Sequence, residues 1–170
     1  HGRPMIVHCW QRAVKAALGP ALVAAGDREI VTAIEAAGGK ALLTDPALAS
    51  GSDRVHAAVE AVDPAGEYDI VVNLQGDLPT IDPSILSALL PPLEDPAVDI
   101  STPAAPISDP SEHDDPNVVK AVVSPHPGGR GGRHHDHPEG TGSRPGGDIG
   151  VARGGDGNRL RRVPLAREHR

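Results

Sequence analysis

The sequence predicts an α/β protein built on a mostly parallel, doubly wound open sheet. Two observations carry that expectation: strand-like and helix-like segments alternate over most of the chain, and the strand-like segments are short continuous apolar runs of the kind buried on both faces. The first element is a helix from Pro4 to Leu18, where Ile6, Cys9/Trp10, Ala13/Val14 and Ala17/Leu18 recur every three to four residues and Gly19-Pro20 ends the pattern. Ala21 to Ala25 follows as a buried strand. Asp27 caps a second helix with Ile30, Ile34 and Ala37 on its core face, closed by Gly38-Gly39. Ala41 to Thr44 reads as a strand, and Val55, Val59 and Val62 space as a third helix. The Val-rich run Asp69-Ile70-Val71-Val72 leads a strand into Gln75-Gly76-Asp77. Asp82-Pro83 supplies an N-cap and a first-turn proline, predicting a helix from Ser84 to Leu90 with Ile85 and Leu89 inward. Val98 to Thr102 and Val118 to Val123 are further candidate strands.

Composition divides the chain. Residues 1 to 124 carry 7 Lys/Arg against 18 Asp/Glu, whereas residues 125 to 170 carry 9 Arg against 5 Asp/Glu together with 12 Gly. The acidic first part argues against nonspecific nucleic-acid binding, which draws its affinity from basic side chains on phosphates. The second part lacks the apolar surface that offsets the entropy of ordering, so it reads as a disordered tail or as the product of a frameshift in a GC-rich gene. Its His134-His135-Asp136-His137 cluster can meet a metal, but the surrounding backbone offers no preorganisation. The chain has no Phe, and Trp10 and Tyr68 are its only Trp and Tyr, so aliphatic residues must fill the core. Cys9 is the single cysteine, which excludes an internal disulfide and a cysteine metal cage. No signal-like leader or membrane-length apolar run is present, and the expectation is a cytoplasmic protein without membrane insertion.

The candidate site is Asn73-Leu74-Gln75-Gly76-Asp77-Leu78-Pro79. A carboxylate placed just after a buried strand lies where ligands bind in open α/β sheets, and Gly76 permits close approach of backbone and ligand. Asp77 is a foothold for Mg²⁺, which takes one or two carboxylates and fills its shell with phosphate and water. A solvated turn is the plain alternative.

Taken with Gly2-Arg3-Pro4-Met5-Ile6-Val7-His8, Ser50-Gly51-Ser52-Asp53-Arg54 and Pro116-Asn117-Val118-Val119-Lys120, this segment resembles the 3-deoxy-manno-octulosonate (Kdo) cytidylyltransferases, the CMP-Kdo synthetases of lipopolysaccharide-making bacteria. The resemblance covers residues 1 to about 124. It implies a Rossmann-like nucleotidyltransferase fold, incomplete here, and attack of the Kdo anomeric hydroxyl on the α-phosphate of CTP, releasing pyrophosphate. By the same resemblance Asp77 and Arg54 are catalytic, Asp77 binds Mg²⁺, and Ser50, Gly51, Gln75 and Gly76 contact substrate. The implied partners are CTP and Kdo, with a homodimer in the intact family. For Arg54 the structural alternative is an exposed pairing with Asp53 or Glu60.

The sequence also departs from the family. It begins after the family's first strand and phosphate loop, and residues 125 to 170 have no counterpart of the family's second half. Gly26 stands where the family has Asp and Leu48 where it has His. Catalysis by this chain alone is therefore not expected. Two alternatives stay open, a noncatalytic fragment or interaction module with a basic arm, and another sugar nucleotidyltransferase.

Overall fold

The computed structural model describes residues 2–121 and 147–154, the last eight through their backbone. Of the described residues, 2–101 group with 147–154 in one compact unit, and 102–121 belong to a second.

The first unit opens with α1 (Met5–Ala16), β1 (Ala21–Ala25), α2 (Arg28–Ala36), β2 (Lys40–Leu43), α3 (Gly51–Val62) and β3 (Tyr68–Gln75). A short helix α4 (Pro83–Ser87), a 3-10 turn at Pro91–Glu94 and β4 (Gly147–Gly154) complete it. The strand order is β2-β1-β4-β3. β1 pairs in parallel with β2, and β4 runs antiparallel to both β1 and β3, so β1, β2 and β3 share one direction. Three of the four described strands thus run the same way, as the alternation predicted, although only the β1–β2 ladder is parallel.

Side-chain caps explain the starts of α2 and α4. Asp27 accepts the Glu29 amide proton at 2.7 Å to open α2, and Asp82 accepts the Ser84 amide at 2.9 Å to open α4. Those Ser84 bonds, from the amide first and the hydroxyl second, hold the Asp82 carboxyl below its ordinary range. Buried Asp63 receives the amides of Glu67 and Tyr68 at 2.8 and 3.0 Å and so fixes the entry to β3.

One side of the sheet is the main core. There Ile6, Val7, Cys9 and Ala13 of α1, Ile34 of α2 and Leu86 of α4 pack with Val23, Val72 and Leu74. Gly39 makes this join close, because a Cβ there would lie 2.7 Å from Ile34 Cγ2 and 2.8 Å from Trp10 Cε2. On the other side α3 lies over Leu22, Ala24 and Val71, and an apolar cavity of about 50 Å³ remains between them. By register Gly150 stands opposite Leu22 and Ala152 opposite Val71.

Three sequence readings of this unit need correction. β4 falls inside the stretch read as a disordered tail; its register is set by β1 and β3, which local apolar periodicity does not encode. Residues 98–102 carry no strand, and Ile100 is 74% exposed. This stretch is flanked by Pro96 and Pro103, and β4 already occupies the facing edges of β1 and β3. The α4 helix is shorter than expected and turns Leu86, 2% exposed, to the core while Ile85 stays 38% exposed. Leu89 packs against the core as expected. The helix read from Val55, Val59 and Val62 is present as α3, with Val55 and Ala58 buried and Val62 51% exposed at its end.

In the second unit Pro110–His113 form a 3-10 turn capped by Asp109. Asp115 accepts from the amide of Asn117 at 2.8 Å, and Lys120 Nζ donates to the Asp115 carbonyl. Residues 118–121 are therefore a turn and its exit rather than the expected strand. Residues 122 and 123, and the His134-to-His137 cluster, lie outside the described residues.

Candidate functional site

Three parallel strands end on one edge of the sheet, and the candidate residues collect along it. β1 leads into Gly26, β2 into Thr44-Asp45, and β3 ends at Gln75 before Gly76 and Asp77. Gln75 is paired with Asp148, which is also paired with Ala24, so β1 and β3 are two strand spacings apart at this edge, about 10 Å. Gln75 and Asp77 are exposed and Gly76 is half-buried. This is the strand-end position that the sequence assigned to the acidic loop. The apolar cavity beneath α3 lies toward the opposite ends of the strands, beside Pro20 and Tyr68, and is separate from this edge.

Ser50 and Gly51 occupy the start of α3, which follows β2. The Ser50 hydroxyl accepts the Asp53 amide at 3.1 Å and donates to the Asp53 carboxylate at 2.7 Å. Its visible role is thus a helix cap. Arg54, one turn on, is only 6% exposed. Its Nη1 donates to Thr44 Oγ1 at 2.6 Å and to the Asp45 carbonyl at 3.2 Å. Thr44 passes its own hydroxyl proton to the Ala25 carbonyl at 3.1 Å. The guanidinium lies over Gly26, where a Cβ would approach Nη1 to 2.7 Å. Arg54 therefore ties together the ends of β1 and β2 from beneath the edge. The exposed pairing considered for it does not form: Asp53 serves the Ser50 cap, and Glu60 lies 3.7 Å from His56.

The acidic loop is reached from α1 by two residues that sequence reasoning did not assign to the site. Cys9 Sγ donates to the Gly76 carbonyl at 3.1 Å, and Arg12 Nε donates to the Pro79 carbonyl at 3.1 Å. Burial raises the Cys9 thiol pKa, opposed by the Leu78 amide and reinforced by the Asp77 charge. The available signal was the i,i+3 spacing of Cys9 and Arg12 on one helical face. Thr44 and Asp45 were signalled only by a hydroxyl and a carboxylate at a strand end.

Among the described residues no group of three or more His, Cys, Asp or Glu gathers around one point. Within Gln75 to Pro79, Asp77 is the one carboxylate, and it is exposed. Such a donor set suits Mg²⁺ carried in with phosphate better than a metal held wholly by protein. Among the described residues, no helix is long and apolar enough to cross a membrane.

A family model described as Cytidylyltransferase matches residues 1–137. The chain belongs to the cytidylyltransferase family. It is 52% identical over 133 residues to the 3-deoxy-manno-octulosonate cytidylyltransferase of Paramagnetospirillum magneticum, covering 78% of this chain and 54% of that one. Identity to the same enzyme of Rhodospirillum centenum is 58% over 133 residues, 78% of this chain and 52% of the relative. With Methylorubrum populi it is 58% over 121 residues, 71% of this chain and 49% of the relative. This cytidylyltransferase chain thus spans about half the length of the curated relatives it matches. A solved CMP:2-keto-3-deoxy-manno-octonic acid synthetase complexed with CTP aligns with TM-score 0.51 and 36% identity, over 57% of this chain and 39% of that one. The match supports the nucleotidyltransferase fold read from the sequence.

Proposed function

We propose that this chain supplies the acidic-loop part of a site that transfers the cytidylyl group of CTP to Kdo, for lipopolysaccharide assembly in the cytoplasm. The carrying observation is Gln75-Gly76-Asp77 at the shared carboxyl edge of β1, β2 and β3, within a stretch more than half identical to Kdo cytidylyltransferases. Asp77 would hold Mg²⁺, which supplies charge neutralisation on the phosphate oxygens. Gln75 offers both a donor and an acceptor to the sugar or nucleotide, and Gly76 lets the ligand approach the backbone. Gly51 in the first turn of α3 places backbone amides at a helix end that favours phosphate. Arg54 acts from below: it holds Thr44 and Asp45 in place and contributes positive potential to an otherwise acidic surface. In the reaction the anomeric oxygen forms a bond to the α-phosphorus, the bond to the leaving pyrophosphate breaks, and the hydroxyl proton passes to solvent or a base. The homodimer of the intact family belongs to the same reading.

Titration of the 170-residue chain with CTP and Mn²⁺ tests it. CTP binding should require the metal and weaken about tenfold or more, ~1.4 kcal/mol, in Asp77→Ala. Metal-independent CTP binding, or binding indifferent to Asp77→Ala, would overturn the assignment.

A further inference from the structure

The loop that carries Asp77 is gripped from behind by a helix distant in sequence. Cys9 is fully buried and directs its thiol proton to the Gly76 carbonyl, and Arg12, one turn later, directs Nε to the Pro79 carbonyl, each at 3.1 Å and each across 67 residues of sequence. Those two carbonyls bracket Asp77 and Leu78. The loop's own backbone closure, from the Ile81 amide to the Leu78 carbonyl, is longer at 3.3 Å. Pro79 has no amide proton to give, and Gly76 has no side chain with which to pack. The orientation of this segment therefore rests on donors from elsewhere. A loop of this kind, without them, belongs to the low-stability end of local opening.

We propose that Cys9 and Arg12 are positioning residues for the Asp77 carboxylate: α1 clamps the loop at the carbonyls on either side and sets the direction in which Asp77 meets a divalent cation. The inference rests on the reading of Asp77 as a metal ligand, and it extends the site to a helix whose Ile6, Val7 and Ala13 serve the core. The two contacts differ in kind. The Arg12 bond is charge-assisted and half-buried, so it carries the larger share; the thiol is a weak donor, and its contribution lies in filling a closed space beneath Gly76. Neither side chain needs to touch substrate.

The test uses the full 170-residue chain with Mn²⁺ as the probe and residue-resolved amide hydrogen exchange as a second readout. In Arg12→Met, which keeps an unbranched stem and removes the donors, the amides of Asp77, Leu78 and Ile81 should exchange about tenfold faster while those of Val23 to Ala25 do not change. Mn²⁺ affinity should fall about fivefold or more in the same variant, and Arg12→Lys should recover part of it. Cys9→Ala should loosen the loop less than Arg12→Met, with Cys9→Ser restoring protection. Unchanged loop exchange in Arg12→Met, or acceleration spread equally over β1, would overturn the clamp. Selective loosening in a chain whose wild type binds no Mn²⁺ would keep the clamp and sink the metal reading of Asp77, so the two failures are distinguishable.

Discussion

At Ala17 the chain turns out of α1 with φ of 55°, the left-handed conformation that suits glycine. Its amide still closes on the Val14 carbonyl at 3.1 Å, so the turn is a helix cap made by a residue whose Cβ is disfavoured there. Ala17→Gly should therefore stabilise the fold by about 1 kcal/mol, read as a higher midpoint of thermal unfolding. A lower midpoint would mean that chain entropy outweighs the relieved strain. The same reasoning shows what one residue can reveal in a sequence. Gly19-Pro20 announced the end of the helix, but that the left-handed residue is Ala17 depends on the angle at which β1 is entered, which no local motif records. Likewise the place of Asp77 was legible, because the apolar run that precedes it marks a strand and Gly76 and Pro79 mark its end. The burial of Arg54 was not legible: a guanidinium in a helix's first turn reads as exposed, and only Thr44, Asp45 and the absent side chain at Gly26 make a seat for it.

At the scale of elements, α1, β1, α2, β2, α3 and β3 stand close to where the hydrophobic periods placed them, since each is local and each carries its own start or stop signal. The element with the least margin is α3. Among the described residues it is the one helix on its face of the sheet, it leaves a cavity of about 50 Å³, and Val62 at its end is exposed. Its start depends on Ser50, whose hydroxyl both accepts from the Asp53 amide and donates to the Asp53 carboxylate. Ser50→Ala should cost about 1 kcal/mol of stability, measured by urea unfolding. Because Arg54 sits in the same first turn, the substitution should also loosen the Thr44 and Asp45 contacts, seen as faster exchange at the Thr44 amide. A stability loss without that local change would separate the cap from the strand-end network. The elements that sequence reading missed or misplaced are those with nonlocal causes, the strand-like runs at 98–102 and 118–121 left unpaired and the glycine-rich β4 recruited in their place.

For the unit as a whole, β4 decides whether there is one sheet. β1 pairs with β2 and β4, and β3 pairs with β4, so every ladder connecting the β1–β2 pair to β3 runs through Gly147–Gly154. The edge that carries the candidate site is assembled from both halves, with Arg54 and its partners on the β1–β2 side and Asp77 on the β3 side. A strand in this position pairs on both sides, and proline in it removes a ladder donor and restricts the backbone. Val151 pairs with Ala21 on one side and Val72 on the other. Val151→Pro should therefore destabilise the fold by about 3 kcal/mol or more, with loss of strand signal in circular dichroism, while Pro substitution at exposed Ala105 should leave the melt unchanged. A Val151→Pro protein that melts like the parent would remove β4 from the sheet. In that case the two halves of the site would be held together only by the helices packed across Val23, Val72 and Leu74.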